Sequence, residues 1–119
     1  MSARILVVAD DPSLQGLLSH SGRAEGHDVL VSTTGSDGLR RWSSDRPDLI
    51  VLDFGLPLLD GPSFAVQWRE RVPQEQHVPI IGISGLPNGA DLARHTKVDE
   101  FLAKPLDLDV LVGTVRRLA

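Results

Sequence analysis

Cysteine is absent from the 119 residues, which excludes disulfides, zinc-thiolate sites and thiol catalysis and fits a cytoplasmic location. Long apolar runs are missing too. None approaches the roughly 20 residues of a membrane-spanning helix, and polar residues follow Ile5 to Ala9 at once, so neither a membrane span nor a signal peptide is expected. There is no basic stripe either. The net charge is −4 and Arg40, Arg41, Arg46, Arg69, Arg71, Arg116 and Arg117 are scattered, which argues against direct nucleic-acid binding. Internal repeats, low-complexity segments and linkers are not found. What remains is 41% apolar and 24% charged, enough to bury a core, and one domain over residues 1–119 is expected.

The stretch that organises the chain is Leu49-Ile50-Val51-Leu52-Asp53-Phe54-Gly55-Leu56-Pro57-Leu58-Leu59-Asp60-Gly61. A strand this apolar is buried on both faces, and Asp53 sits where it leaves the sheet. Taken alone, Asp53 fits the start of a turn better than a site. In an open parallel sheet, however, the crevice beyond the carboxyl ends of the strands is where ligands bind.

From the N-terminus, Arg4 to Ala9 is a predicted buried strand, followed by Asp10-Asp11-Pro12. Pro12 suits the first helical position and Asp11 the N-cap, which leaves Asp10 at the strand end without a capping role. Leu14, Leu17 and Leu18 form the stripe of the first helix, which Gly22 and Gly26 bring to its end. A second strand spans His27 to Val31. Thr34-Gly35-Ser36-Asp37 opens a second helix with Leu39 and Trp42 facing inward. Ser63 to Arg71 is a third helix with Phe64 and Trp68 as an i,i+4 packing pair. Val78 to Ser84 is a fourth strand ending in a hydroxyl. Between Gly85 and Val98, Pro87, Asn88 and Gly89 allow only a short helix that begins late. Asp99 to Ala103 is a fifth strand ending at Lys104-Pro105, and Leu108, Leu111, Val112, Val115 and Leu118 form the stripe of a last helix. Five strand and helix alternations with short connections predict a parallel sheet with helices on both faces.

Asp10, Asp53, Ser84 and Lys104 therefore stand at the carboxyl ends of four strands. Two carboxylates in one crevice repel unless a cation intervenes. Lys104 can neutralise one charge. A hard divalent ion can neutralise the rest, and carboxylates, a carbonyl and waters make a Mg2+ site rather than a zinc site.

These segments resemble the response-regulator receiver domains, of which chemotaxis-type single-domain receivers are the simplest. The resemblance rests on Ile5 to Pro12, Pro47 to Gly61, Pro79 to Gly85 and Phe101 to Pro105, and covers essentially the whole chain. It implies a flavodoxin-like doubly wound α/β fold with strand order 2-1-3-4-5, five helices and a short fourth helix. It also implies that Asp53 accepts a phosphoryl group from a histidine kinase or phosphotransfer protein, that Asp10, Asp53 and the backbone carbonyl of Gly55 hold Mg2+, and that Lys104 holds a phosphoryl oxygen. Ser84 would swing in to bond the phosphoryl group, with Phe101 moving inward to report the state to an output protein or domain. The implied protein is a cytoplasmic monomer or weak homodimer, with no enzymatic activity beyond gaining and losing its own phosphoryl group. Gly55 leaves the group unshielded from water.

Two features depart from the family pattern. Ala9 stands where the first of two adjacent acids is usual, and losing such an outer partner typically weakens metal binding about 10 to 100-fold. In the short Gly85 to Val98 segment, Lys97-Val98 replaces a small Gly-Ala pair. The alternative these departures leave open is an interaction module that works without phosphorylation. Flavin carriers are disfavoured because Asp10-Asp11-Pro12 would repel a phosphate, and carboxylate-nucleophile phosphatases because Gly55 stands where they need a second acid.

Overall fold

The structure, a computed structural model, describes residues 2–96 and 98–119, and of these all side chains except those of Gln74, His95 and Thr96. In chain order the elements are β1 (Arg4–Val8), α1 (Pro12–Ala24), β2 (Asp28–Ser32), α2 (Gly35–Asp45), β3 (Leu49–Asp53), α3 (Gly61–Arg71), a single 3-10 turn (Gln74–Gln76), β4 (Ile80–Ser84), α4 (Gly89–Thr96), β5 (Glu100–Ala103) and α5 (Leu108–Leu118). The sheet is parallel throughout, in the order β2-β1-β3-β4-β5. This is the doubly wound architecture expected, with a fourth helix of 8 residues that starts at Gly89.

Alternation along the strands feeds two cores. Leu6, Val8, Ile50, Leu52 and Ile80 meet Phe64, Ala65 and Trp68 of α3 on one face. Ile5, Val7, Leu49, Val51, Ile81 and Ile83 meet Leu14 and Leu18 of α1 and Leu111 and Val115 of α5 on the other. The central strands β3 and β4 are buried at every position, whereas β5, at the edge, is only half-buried. Asp11, Thr34, Asp60 and Asp107 cap α1, α2, α3 and α5, each side-chain oxygen accepting a first-turn N–H.

Strand boundaries move by one or two residues from those predicted. Gly22 lies inside α1, and a Cβ there would stand 2.7 Å from Val29 Cγ2, so it serves the seating of α1 on β2 and not the helix end. Leu17 and Leu108, expected in apolar stripes, are exposed. Trp42 is half-buried: its ring meets Trp68 edge-on at 5.9 Å and carries the Arg46 guanidinium 4.8 Å from its centroid. Phe64 and Trp68 do form the packing pair, stacked at 5.8 Å. Lys97 lies outside the described residues. No helix among those described is long and apolar enough to cross a membrane.

Candidate functional site

Asp53 is the last residue of β3, the middle strand, and is 4% exposed. Its Oδ1 accepts the Gly55 N–H at 3.0 Å, a bond that the turn after the strand supplies. Lys104 Nζ lies 3.4 Å from Oδ1 and 3.5 Å from Oδ2. Lys104 follows directly on β5, and its own N–H donates to the Ser84 carbonyl at 2.9 Å, which ties the lysine's backbone to the end of β4. The Lys104-Pro105 peptide bond is cis. A buried carboxylate without a compensating charge is costly, and Lys104 with the Gly55 N–H supplies the compensation here.

The β1–β3 register pairs Val8 with Leu52, so Ala9 continues level with Asp53. Ala9 is buried on the α1 and α5 face. A carboxylate at residue 9 would press against Asp53, and the methyl group removes that like charge. Asp10, one residue further, is exposed at the rim of the sheet. Ser84, the last residue of β4, is 2% exposed, and its Oγ accepts the Leu86 N–H at 2.9 Å. Phe101 is half-buried on β5 with its ring 6.1 Å from that of Phe54.

The structure thus joins Asp53 and Lys104 directly, engages the Ser84 hydroxyl with its own turn, and leaves Asp10 at the solvent edge. Two participants were not foreseen. Gln15 Nε2 donates to the Ala9 carbonyl at 2.6 Å and pins the β1–α1 connection; a helix residue reaching back to a strand end carries no sequence signature. Phe54, one residue beyond Asp53, fills a socket walled by Gly61 and Gly82.

Two carboxylates and a backbone carbonyl are hard oxygen donors, and Mg2+ is commonly held by one or two carboxylates with waters completing its octahedron. That chemistry fits Asp10, Asp53 and Gly55. Among the described residues no cluster of three or more His, Asp or Glu could hold a metal, so a tighter all-protein cage is not formed. Away from this rim, Asp37 is held below the usual carboxylate range by the Ser32 hydroxyl, against the opposing effect of burial, with Arg40 and Arg41 adding to the hydroxyl.

The family model for the response regulator receiver domain matches residues 5–116. The chain belongs to that family. Receivers of two-component systems accept phosphoryl groups as signalling modules and interact with histidine kinases. Among relatives, the transcriptional regulatory protein PrrA of Mycobacterium tuberculosis is 34% identical over 119 residues, covering 98% of this receiver and 50% of PrrA. The receiver therefore spans about half the length of such curated relatives. Among solved structures, the receiver domain of the sensor histidine kinase PA1611 of Pseudomonas aeruginosa, determined with magnesium coordinated in its active-site cleft, has a TM-score of 0.88 and 28% identity, with 99% of this chain and 98% of that one covered. The Vibrio cholerae chemotaxis protein CheY4 shares the fold at a TM-score of 0.87 with 24% identity, covering 100% of both chains.

Proposed function

We propose that Asp53 of this receiver is the phosphoacceptor. The observation that carries the reading is a carboxylate buried at the end of the central strand, held by the Gly55 N–H and faced by Lys104 Nζ at 3.4 and 3.5 Å. An Asp53 oxygen attacks the phosphorus of a phosphohistidine on a histidine kinase or phosphotransfer protein. The O–P bond forms as the P–N bond breaks, and the imidazole leaves and recovers its proton from solvent. Lys104, already at the carboxylate, holds one phosphoryl oxygen as charge moves onto the transferring group. Ser84 exchanges its bond with Leu86 for one with the phosphoryl group, and Phe101 follows it, altering a surface read by an output protein or domain.

Asp10, Asp53 and the Gly55 carbonyl would hold Mg2+, which supplies charge neutralisation for the incoming phosphoryl group. The reading places the protein in the cytoplasm, as a monomer or weak homodimer without direct contact to nucleic acid or membrane. Incubation with Mg2+ and acetyl phosphate is expected to raise the intact mass by one phosphoryl group, and Asp53→Asn to abolish the gain. Ala9 beside Asp53 favours a second reading, an interaction module that works unmodified. Unchanged mass at saturating Mg2+ would select it.

A further inference from the structure

We infer that the open edge of β2 is a self-complementary surface that fits a second copy of this chain, and that Arg41 of α2 keeps it closed. The register decides which backbone groups the edge presents. β1 and β2 pair in parallel from Arg4 with Asp28 to Val8 with Ser32. The Asp28 N–H donates to the Ala3 carbonyl at 2.9 Å, and the Ser32 carbonyl accepts the Ala9 N–H at 3.1 Å. Along a parallel ladder, every second residue of a strand turns both its N–H and its C=O to the same neighbour. Asp28, Leu30 and Ser32 therefore bond β1, and Val29 and Val31 turn theirs outward. β2 ends the sheet, so no strand of this chain meets them.

Arg41 does meet them. Its Nη2 donates to the Val31 carbonyl at 3.4 Å, while its Nε lies 3.3 Å from Asp37 Oδ2 and its Nη1 3.2 Å from Asp45 Oδ2. The two carboxylates stand one turn before and one turn after Arg41 on α2, so they grip the guanidinium from both sides and lay it on the strand edge. The bond to Val31 is long, and Arg41 guards the edge as much by placing a charge there as by the bond itself. Without such a charge, a strand reading Val29-Leu30-Val31 with no proline is a template for pairing with another chain. A second copy related by a two-fold axis at Leu30 would set Val29 opposite Val31 and Val31 opposite Val29, the outward groups of each pair exchanging hydrogen bonds. Leu30 would face Leu30, and Asp28 would face Ser32, so no like charges meet along the strands. Arg41 takes the Val31 carbonyl out of this exchange in both copies and would bring two guanidinium groups into the seam.

β1 stands between β2 and the strand that carries Asp53, and the inference does not rest on the phosphoacceptor reading. The test is sedimentation velocity of the whole chain over a concentration series, with amide hydrogen exchange followed at each concentration. Wild type is expected to keep the Val29 and Val31 amides exchanging fast throughout. Arg41→Met keeps the stem of the side chain and removes the guanidinium. Its mass is expected to climb toward twice that of the monomer, with exchange of the Val29 and Val31 amides slowing about tenfold or more. Adding Val31→Pro removes an outward N–H without costing a bond to β1, a place where an edge strand tolerates proline, and is expected to restore the monomer. Where Arg41→Met does not fold, Asp45→Asn, which loosens one grip on the guanidinium, is expected to associate in the same way at higher concentration and decides in its place. A folded variant that stays monomeric overturns the inference. So does association that leaves the Val29 and Val31 amides unprotected or that survives Val31→Pro. Wild type that itself associates with both amides protected removes the part assigned to Arg41.

Discussion

The ring of Phe54 occupies the space in which a side chain at residue 82 would stand: a Cβ on Gly82 would lie 2.6 Å from Phe54 Cε1 and 2.7 Å from Cζ. Gly61 lines the same edge of the ring nearer its backbone, where a Cβ would lie 2.5 Å from Phe54 Cα and 2.6 Å from Cδ1. A large residue beside the site is thus matched to two absent side chains. Gly82→Val should overpack this point and cost about 1–3 kcal/mol, whereas Phe54→Ala should cost about 3–5 kcal/mol through the cavity left behind. Shortening the ring should offset the added bulk, so Gly82→Val with Phe54→Leu is expected to be less destabilised than the sum of the single changes. Additive losses in urea unfolding would show that the two positions do not share this space.

Ala9 stands level with Asp53 across the β1–β3 register. Ala9→Asp would place a carboxylate against a buried one, which is unfavourable without a cation and favourable with one. Calorimetric titration is expected to give Mg2+ affinity about 10 to 100-fold higher in Ala9→Asp than in wild type. The melting temperature of the variant should also rise more steeply with Mg2+. Equal affinity in both proteins would mean that residue 9 is not part of the metal's surroundings.

Lys104 Nζ reaches both Asp53 oxygens from a side chain that is 37% exposed, so it is accessible to an arriving phosphoryl donor. Lys104→Met keeps the stem and removes the charge. Phosphoryl uptake from acetyl phosphate, followed by intact mass against time, is expected to slow on the order of 100-fold, the scale of losing one preorganised donor at a developing charge. A wild-type rate in the variant would reduce the lysine to a counter-ion of the resting carboxylate.

How much of this was legible in the sequence depended on the range of the interaction. Asp11 as a cap, Pro12 at the first helical position, the entry of α2 at Thr34 to Asp37 and the late start of α4 follow from contacts within a few residues, and they are found where the pattern puts them. The buried strands were equally visible, since apolar runs need no partner to be recognised. The strand order came with the family resemblance. Gln15 on the Ala9 carbonyl and the Phe54 socket were not legible, because each is defined by a side chain approaching backbone that no local pattern links to it. Leu17 and Leu108 show the opposite limit: helical periodicity marks a face, but the edge of that face is set by where the neighbouring helix stops. Leu58 adds a case without a local cause, fully exposed in the left-handed region at φ 66°.

At the far end of the sheet, Asp99 gathers three elements. Its Oδ2 accepts the Ile80 N–H and Arg69 Nη2, each at 2.7 Å, and its Oδ1 lies 2.7 Å from His77 Nε2. Burial would raise the Asp99 pKa, but the Ile80 N–H, His77 and Arg69 outweigh it and hold the carboxyl below its ordinary value of 3.8. A carboxyl with a depressed folded pKa contributes stability that is fully present above the unfolded pKa and is lost as the pH falls through the folded one. Asp99→Asn should therefore cost on the order of 1–3 kcal/mol near neutral pH, where charge-assisted bonds to Arg69 and His77 are lost. That cost should shrink below about pH 4, where wild type progressively loses the same contribution. Urea unfolding of both proteins near neutral pH and near pH 3 measures the difference directly. A gap that stays constant on acidification would mean that Asp99 holds β4, α3 and the start of β5 by hydrogen bonding alone, with its charge contributing nothing.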